Sequence, residues 1–149
     1  MNKAFVREPD ADGRAYCPRC NTTGAPVGST VLNNLVLPTL RNKLGDSAWF
    51  CPYARCDVAY FDEFETVIGV EELQRKIYPH DLDAPICSCF GLSYDDVQAD
   101  AREPVPSRIR QLWTRSQSAE ARCHEIAPDG QCCFAEVQRL YMKLKDQPR

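Results

Sequence analysis

The chain has 149 residues, 44% of them hydrophobic and 26% charged, with a net charge of −3. That balance belongs to a globular protein rather than a disordered one, and it supplies no basic field for nucleic acid. No signal-peptide pattern opens the chain, and its longest apolar patch is broken by Asn33, Asn34 and Pro38, far short of the ~18 residues that a membrane span needs; a cytoplasmic protein with no membrane insertion is expected.

Nine cysteines stand out: Cys17 with Cys20, Cys51 with Cys56, Cys87 with Cys89, and Cys123 with the adjacent Cys132 and Cys133. In a reducing compartment such pairs suit metal better than disulfides, and an odd total fits a disulfide framework poorly. The expected fold class is α+β: a small zinc ribbon of short antiparallel strands, followed by a mostly helical domain.

In chain order, residues 1–14 read as a flexible leader, because Pro9, Asp10, Asp12 and Gly13 offer turns without periodicity. Residues 15–80 read as the zinc ribbon. Cys17-Pro18-Arg19-Cys20 forms one knuckle. Ala48, Trp49 and Phe50 lead as a strand into Cys51, and Val58, Ala59, Tyr60 and Phe61 leave Cys56 as another, so the segment between Cys51 and Cys56 is a second knuckle with four intervening residues. Residues 31–44 mix β-branched residues with Leu at helical spacing and take no firm assignment. Residues 70–77 suit a short helix, and Pro79 and Pro85 bracket a turn-prone stretch in which His80 is expected to be solvated.

Residues 81–149 read as the helical domain. Ser93 and Asp96 make a capping-box start for a helix through about Ala101, which Glu103-Pro104-Val105-Pro106 stops. Ser107 is placed to cap the next helix, with Ile109, Leu112 and Trp113 on its apolar face. Phe134, Val137, Leu140, Tyr141 and Leu144 recur at spacings of three and four, as in an amphipathic helix. Arg108, Arg110 and Arg115, like Lys143 and Lys145, read as a solvated face or as a docking patch for an acidic partner.

Four thiolates from two knuckles make a closed, structural zinc site on Cys17, Cys20, Cys51 and Cys56, although iron suits four thiolates equally and Asp57 offers an oxygen in place of one sulfur. The second set differs. One residue separates Cys87 from Cys89, a spacing that suits two sulfurs on one iron, and an iron-sulfur cluster would draw its other two thiolates from Cys123 and the Cys132–Cys133 pair. Helices beginning near Ser93 and Phe134 would aim their N-termini toward such an anionic centre, and Pro128-Asp129-Gly130 would turn Cys123 back toward Cys133. His124, beside Cys123, suggests a contact outside the ligand set, since enough cysteines are present without it. With two histidines in the chain and no recognisable triad or phosphate loop, a conventional enzyme is not expected.

Cys17-Pro-Arg-Cys20, Phe50-Cys51-Pro52, Cys56-Asp57-Val58-Ala59-Tyr60-Phe61, Pro85-Ile86-Cys87-Ser88-Cys89-Phe90-Gly91 and Pro128-Asp129-Gly130-Gln131-Cys132-Cys133 together resemble the N-terminal zinc-ribbon and 2Fe-2S module of CopZ-type copper chaperones. The second half is more distantly similar to bacterioferritin-associated ferredoxin domains. The resemblance implies zinc on Cys17, Cys20, Cys51 and Cys56, and a 2Fe-2S cluster on Cys87, Cys89, Cys123 and Cys133, with Cys132 left over. It further implies single-electron transfer in copper handling, with Cu(II) reduced to Cu(I), and as partner a copper chaperone domain or copper-transporting ATPase. The family's M-x-C-x-x-C copper loop has no counterpart in this sequence. The alternative is a non-redox binding or regulatory module, with two structural metal sites, that recruits a metal-transport or regulatory partner.

Overall fold

The computed structural model describes residues 14–146, so the expected leader lies, apart from Arg14, outside the described residues. Four short strands, β1 (Ala25–Gly28), β2 (Ser47–Phe50), β3 (Val58–Phe61) and β4 (Val67–Gly69), form an antiparallel sheet in the order β1-β2-β3-β4. Ala25 lies opposite Phe50 and Phe50 opposite Tyr60. Because alternate residues of a strand face opposite sides, Phe50, Tyr60 and Ile68 pack into the main core while Trp49, Phe61 and Val67 cover the cysteines of the first set. Pro26 is tolerated because β1 is an edge strand and a missing N–H there breaks no interior ladder. Just before it, a Cβ on Gly24 would meet Phe61 Cζ and Trp49 Cβ at 2.7 Å, and only glycine passes.

The unassigned segment after β1 opens as helix α1 (Ser29–Leu35), which buries Val31, Leu32 and Leu35 in the main core. The helix expected at residues 70–77 shrinks to a 3-10 turn at Val70–Glu72. Its backbone is taken by α1 instead: Gln74 N–H donates to Leu35 O (2.7 Å), Leu37 N–H donates to Glu72 O (3.0 Å), and Leu73 bridges to Val36.

The second half holds α2 (Tyr94–Arg102), α3 (Ser107–Ser116), α4 (Cys123–Ile126) and α5 (Phe134–Lys145). Ser93 Oγ accepts from Asp96 N–H at 3.2 Å, and the Asp96 carboxylate accepts from Ser93 N–H at 3.0 Å, the reciprocal box expected for α2. Ser107 does not cap α3: it is already helical. Fully buried Asp100 does so from α2, accepting from Ile109 N–H (2.8 Å), Arg108 N–H (3.4 Å) and the Arg108 guanidinium (2.9 Å). Ile86, Leu92, Val97, Ile109, Leu112 and Val137 form the core of this half. Trp113 departs from its expected burial; it is 51% exposed and leans on Phe134.

The two halves touch through the segment around α4. Tyr60 Oη donates to Pro128 O at 2.6 Å, Asn34 Nδ2 donates to Glu125 O at 2.7 Å, and Arg75 donates to Ile126 O. Among the described residues no helix is long and apolar enough to cross a membrane.

Candidate metal centres

The first knuckle is a tight turn in which Asn21 N–H donates back to Cys17 O (2.8 Å) and Cys17 N–H donates to Thr22 O (2.9 Å). Asn21 sits at φ 64°, a left-handed conformation that asparagine adopts more readily than most residues. The second knuckle hangs between β2 and β3, so the sheet register fixes its distance from the first. The Sγ atoms of Cys17, Cys20, Cys51 and Cys56 all lie within 4.8 Å of one another, with Cys17–Cys56 at 3.8 Å and Cys20–Cys51 at 3.5 Å. Sulfurs bound tetrahedrally at the Zn–S length would stand about 3.8 Å apart, so the four residues fit zinc. Asp57 is no substitute ligand: it is exposed and pairs with Arg19 at 3.0 Å.

The four thiols are not equivalent. Burial pushes Cys51 far above the ordinary thiol range and lifts Cys56 to about 11. For Cys20 burial acts in the same sense, but hydrogen bonds from the Thr22 hydroxyl and backbone outweigh it and lower the thiol to about 7. A dication entering the site must therefore displace protons from the buried pair.

His80, expected in solvent, instead spans the second knuckle. Its Nε2 lies 2.7 Å from Cys51 O and its Nδ1 3.0 Å from Cys56 O, and the ring meets Phe50 edge-on at 5.7 Å. One side chain thus holds both ends of the four-residue loop between the thiols. Nothing local in the sequence signals this, because the contacts reach back 24 and 29 residues.

The second set is built as two pairs. Cys89 Sγ lies 3.6 Å from Cys123 Sγ, and the Cys87 and Cys133 thiols lie near enough to shift one another's ionisation. The turn that carries Cys87 and Cys89 is closed by Gly91 N–H on Cys87 O at 2.9 Å. Cys87, Cys123 and Cys133 are buried, Cys89 is half-buried and Cys132 is exposed. Backbone N–H groups point at two of the sulfurs: Phe90 donates to Cys87 at 3.4 Å and Arg122 donates to Cys89 at 3.3 Å. The Cys133 thiol lowers Cys87 to about 6, against its burial. The Cys87 thiol, with burial, drives Cys133 far upward, while burial and Cys89 raise Cys123 to about 12. Two thiol pairs of this kind could hold two metal atoms.

Cys133 caps α5, so that helix begins at the thiols as expected. At the N-terminus of α2 the Asp96 N–H is taken by Ser93. Gly130, at φ 68°, completes the turn after α4, its N–H donating to Ala127 O at 2.9 Å. His124 Nδ1 lies 3.0 Å from Gly130 O on the exposed side, where it braces the turn.

The family model of a CopZ zinc binding domain matches residues 14–74. The copper chaperone CopZ of Archaeoglobus fulgidus is 25% identical over 126 residues, covering 83% of this chain and 60% of that protein; this chain thus spans less than two thirds of the relative's length. The X-ray structure of the N-terminal domain of the same Archaeoglobus protein matches with a TM-score of 0.71 at 24% identity, over 85% of this chain and 97% of that one. The chain shares that fold, an α+β arrangement of a four-stranded antiparallel sheet with helices.

Proposed function

We propose that this chain is a CopZ-like metal-handling module in which Cys17, Cys20, Cys51 and Cys56 hold zinc and Cys87, Cys89, Cys123 and Cys133 hold a 2Fe-2S cluster that serves electron transfer. The observation that carries the reading is the sorting of eight cysteines into one compact group of four and a second group of two pairs.

In the first group every sulfur is committed and three of the four cysteines are buried, so bound zinc would have no open position and would act on folding. In the second, each iron of a two-iron group would take one thiol pair. When bound, that group supplies one-electron chemistry, sufficient to convert Cu(II) to Cu(I). The residues around it set the conditions for that. The N–H groups of Phe90 and Arg122 donate to the sulfurs of Cys87 and Cys89 and stabilise negative charge there, which favours the reduced state. Burial of Cys87 and Cys133 keeps water from one side, while half-buried Cys89 and exposed Cys132 leave an edge open to a partner. A copper chaperone domain or a copper-transporting ATPase in the cytoplasm fits that role, and CopZ, the Archaeoglobus relative, is named a copper chaperone.

The test is reduction of Cu(II) by anaerobically purified, dithionite-reduced and desalted protein, followed with a Cu(I)-specific chelator. About one Cu(I) per chain, lost in Cys89→Ser, is the expected result. Reduced, iron-loaded protein that leaves Cu(II) untouched would overturn the copper assignment.

A further inference from the structure

Between α3 and α5 runs an open groove of about 1180 Å³, lined by Ile109, Trp113, Phe134, Tyr141 and Met142. Trp113 is 51% and Met142 57% exposed, although Trp113 rests on Phe134 with ring centroids 4.6 Å apart. Large apolar side chains gathered at one surface mark an interaction site. Tryptophan is the side chain that most often anchors such sites, and methionine adapts its shape to whatever is bound.

The rim is basic. The charged residues that line it are Arg110 of α3 and Arg139 of α5, with no acid among the lining residues, in a chain whose net charge is −3. Arg108 is engaged by Asp100 and Glu103, Arg139 by Glu136, and Arg115 lies over the Phe90 ring. Arg110, which lines the groove, makes no ion pair among the described residues.

We propose that this groove docks a helical segment of a partner protein, apolar on one face and flanked by carboxylates. A trough between two packed helices accepts a third helix along its length, reading side chains at spacings of three and four. The unpaired Arg110 then meets a carboxylate at the edge, where charge governs the choice of partner and the rate of encounter. A second copy fits badly, because a twofold pairing would set the two basic rims against each other. The site also has a place in the molecule: Phe134 in the groove directly follows Cys133, so a docked segment lies against the helix that begins at the second thiol set. The inference stands on the surface and not on which group those thiols hold.

The test titrates the full chain, as purified and with iron, sulfide and zinc assayed, with a synthetic amphipathic peptide of about five helical turns carrying leucines on one face and glutamates beside them. Calorimetry is expected to show saturable binding that weakens with salt and falls roughly tenfold or more in Arg110→Glu and in Trp113→Ala. A lysine-flanked version of the peptide should prefer Arg110→Glu to the wild type. Arg110 is exposed, so its variant keeps the test valid should Trp113→Ala fail to fold. Absence of binding, an affinity unchanged from wild type in both variants, or a wild-type dimer in sedimentation that Trp113→Ala dissolves would each overturn the proposal. Iron-loaded protein that ignores the peptide would remove the docking site and leave the electron-transfer reading standing; iron-free protein that binds it would do the reverse.

Discussion

At neutral pH the metal-free Cys20 thiol is close to half ionised, because its pKa lies at about 7, while Cys51 and Cys56 remain protonated. Zinc binding at pH 7 should therefore release roughly two or more protons per ion, measurable by calorimetry in buffers of different ionisation enthalpy, and affinity should fall as pH drops. Binding without proton release would contradict the thiol assignments. His80 acts on the same loop without touching a sulfur. His80→Ala removes the ring that bridges the carbonyls of Cys51 and Cys56 and the hydrogen bond its N–H donates there, a loss of about 1–3 kcal/mol, and should speed zinc transfer to a chelator while the zinc content of fresh protein stays unchanged. Asp129 works in the opposite sense: burial raises its carboxyl above the ordinary value. A group whose folded pKa is raised contributes its stability below the unfolded value and loses it as pH rises through the folded one, so ionised Asp129 costs stability at neutral pH. Asp129→Asn keeps an acceptor for Gln131 N–H and removes that cost. Its melting temperature should exceed the wild type's near neutral pH, with the gain shrinking as pH falls into the ordinary carboxylate range.

At the scale of elements, Asp100 is the fixed point of the helical half. It is a helix interior residue of α2 that supplies the N-cap of α3 and pairs with Arg108, all without exposure. Asp100→Ala should cost about 3 kcal/mol in denaturant unfolding, and Arg108→Ala should cost much less because the amide contacts of the cap survive it; equal losses would assign the effect to the ion pair instead. The Ser93–Asp96 box was legible in the sequence because cap and partner are three residues apart, and α5 was legible from its apolar period. Strands β2 and β3 followed from the apolar residues flanking the second knuckle. Strand β1 was not legible, since Pro26 and Gly28 argue against a strand until an edge position excuses them. The helix expected at residues 70–77 failed because the end of α1 captures that backbone. All four first-set cysteines were named from spacing, whereas the pairing of Cys89 with Cys123, the reach of His80 and the cap from Asp100 depend on contacts between distant segments that no local pattern encodes.

For the whole molecule, two cysteine groups sit in two cores that are tied together by Tyr60, Asn34 and Arg75 across the α4 segment, with the basic groove on the far helices of the second core. Zinc in the first group would secure the sheet on which the α4 segment, and with it Cys123, is seated. In the proposed function the two groups differ in kind, one holding a single ion and the other a two-iron group. The measurement that tests it most directly is iron, acid-labile sulfide and zinc per chain in anaerobically purified wild type, Cys20→Ser and Cys89→Ser, with electron paramagnetic resonance before and after dithionite. The account predicts about two irons, two sulfides and one zinc in the wild type, with a signal appearing on reduction; Cys89→Ser should lose iron and sulfide alone, and Cys20→Ser should lose zinc. A colourless wild-type protein that carries two zincs and no sulfide, even after reconstitution with iron and sulfide, would contradict it.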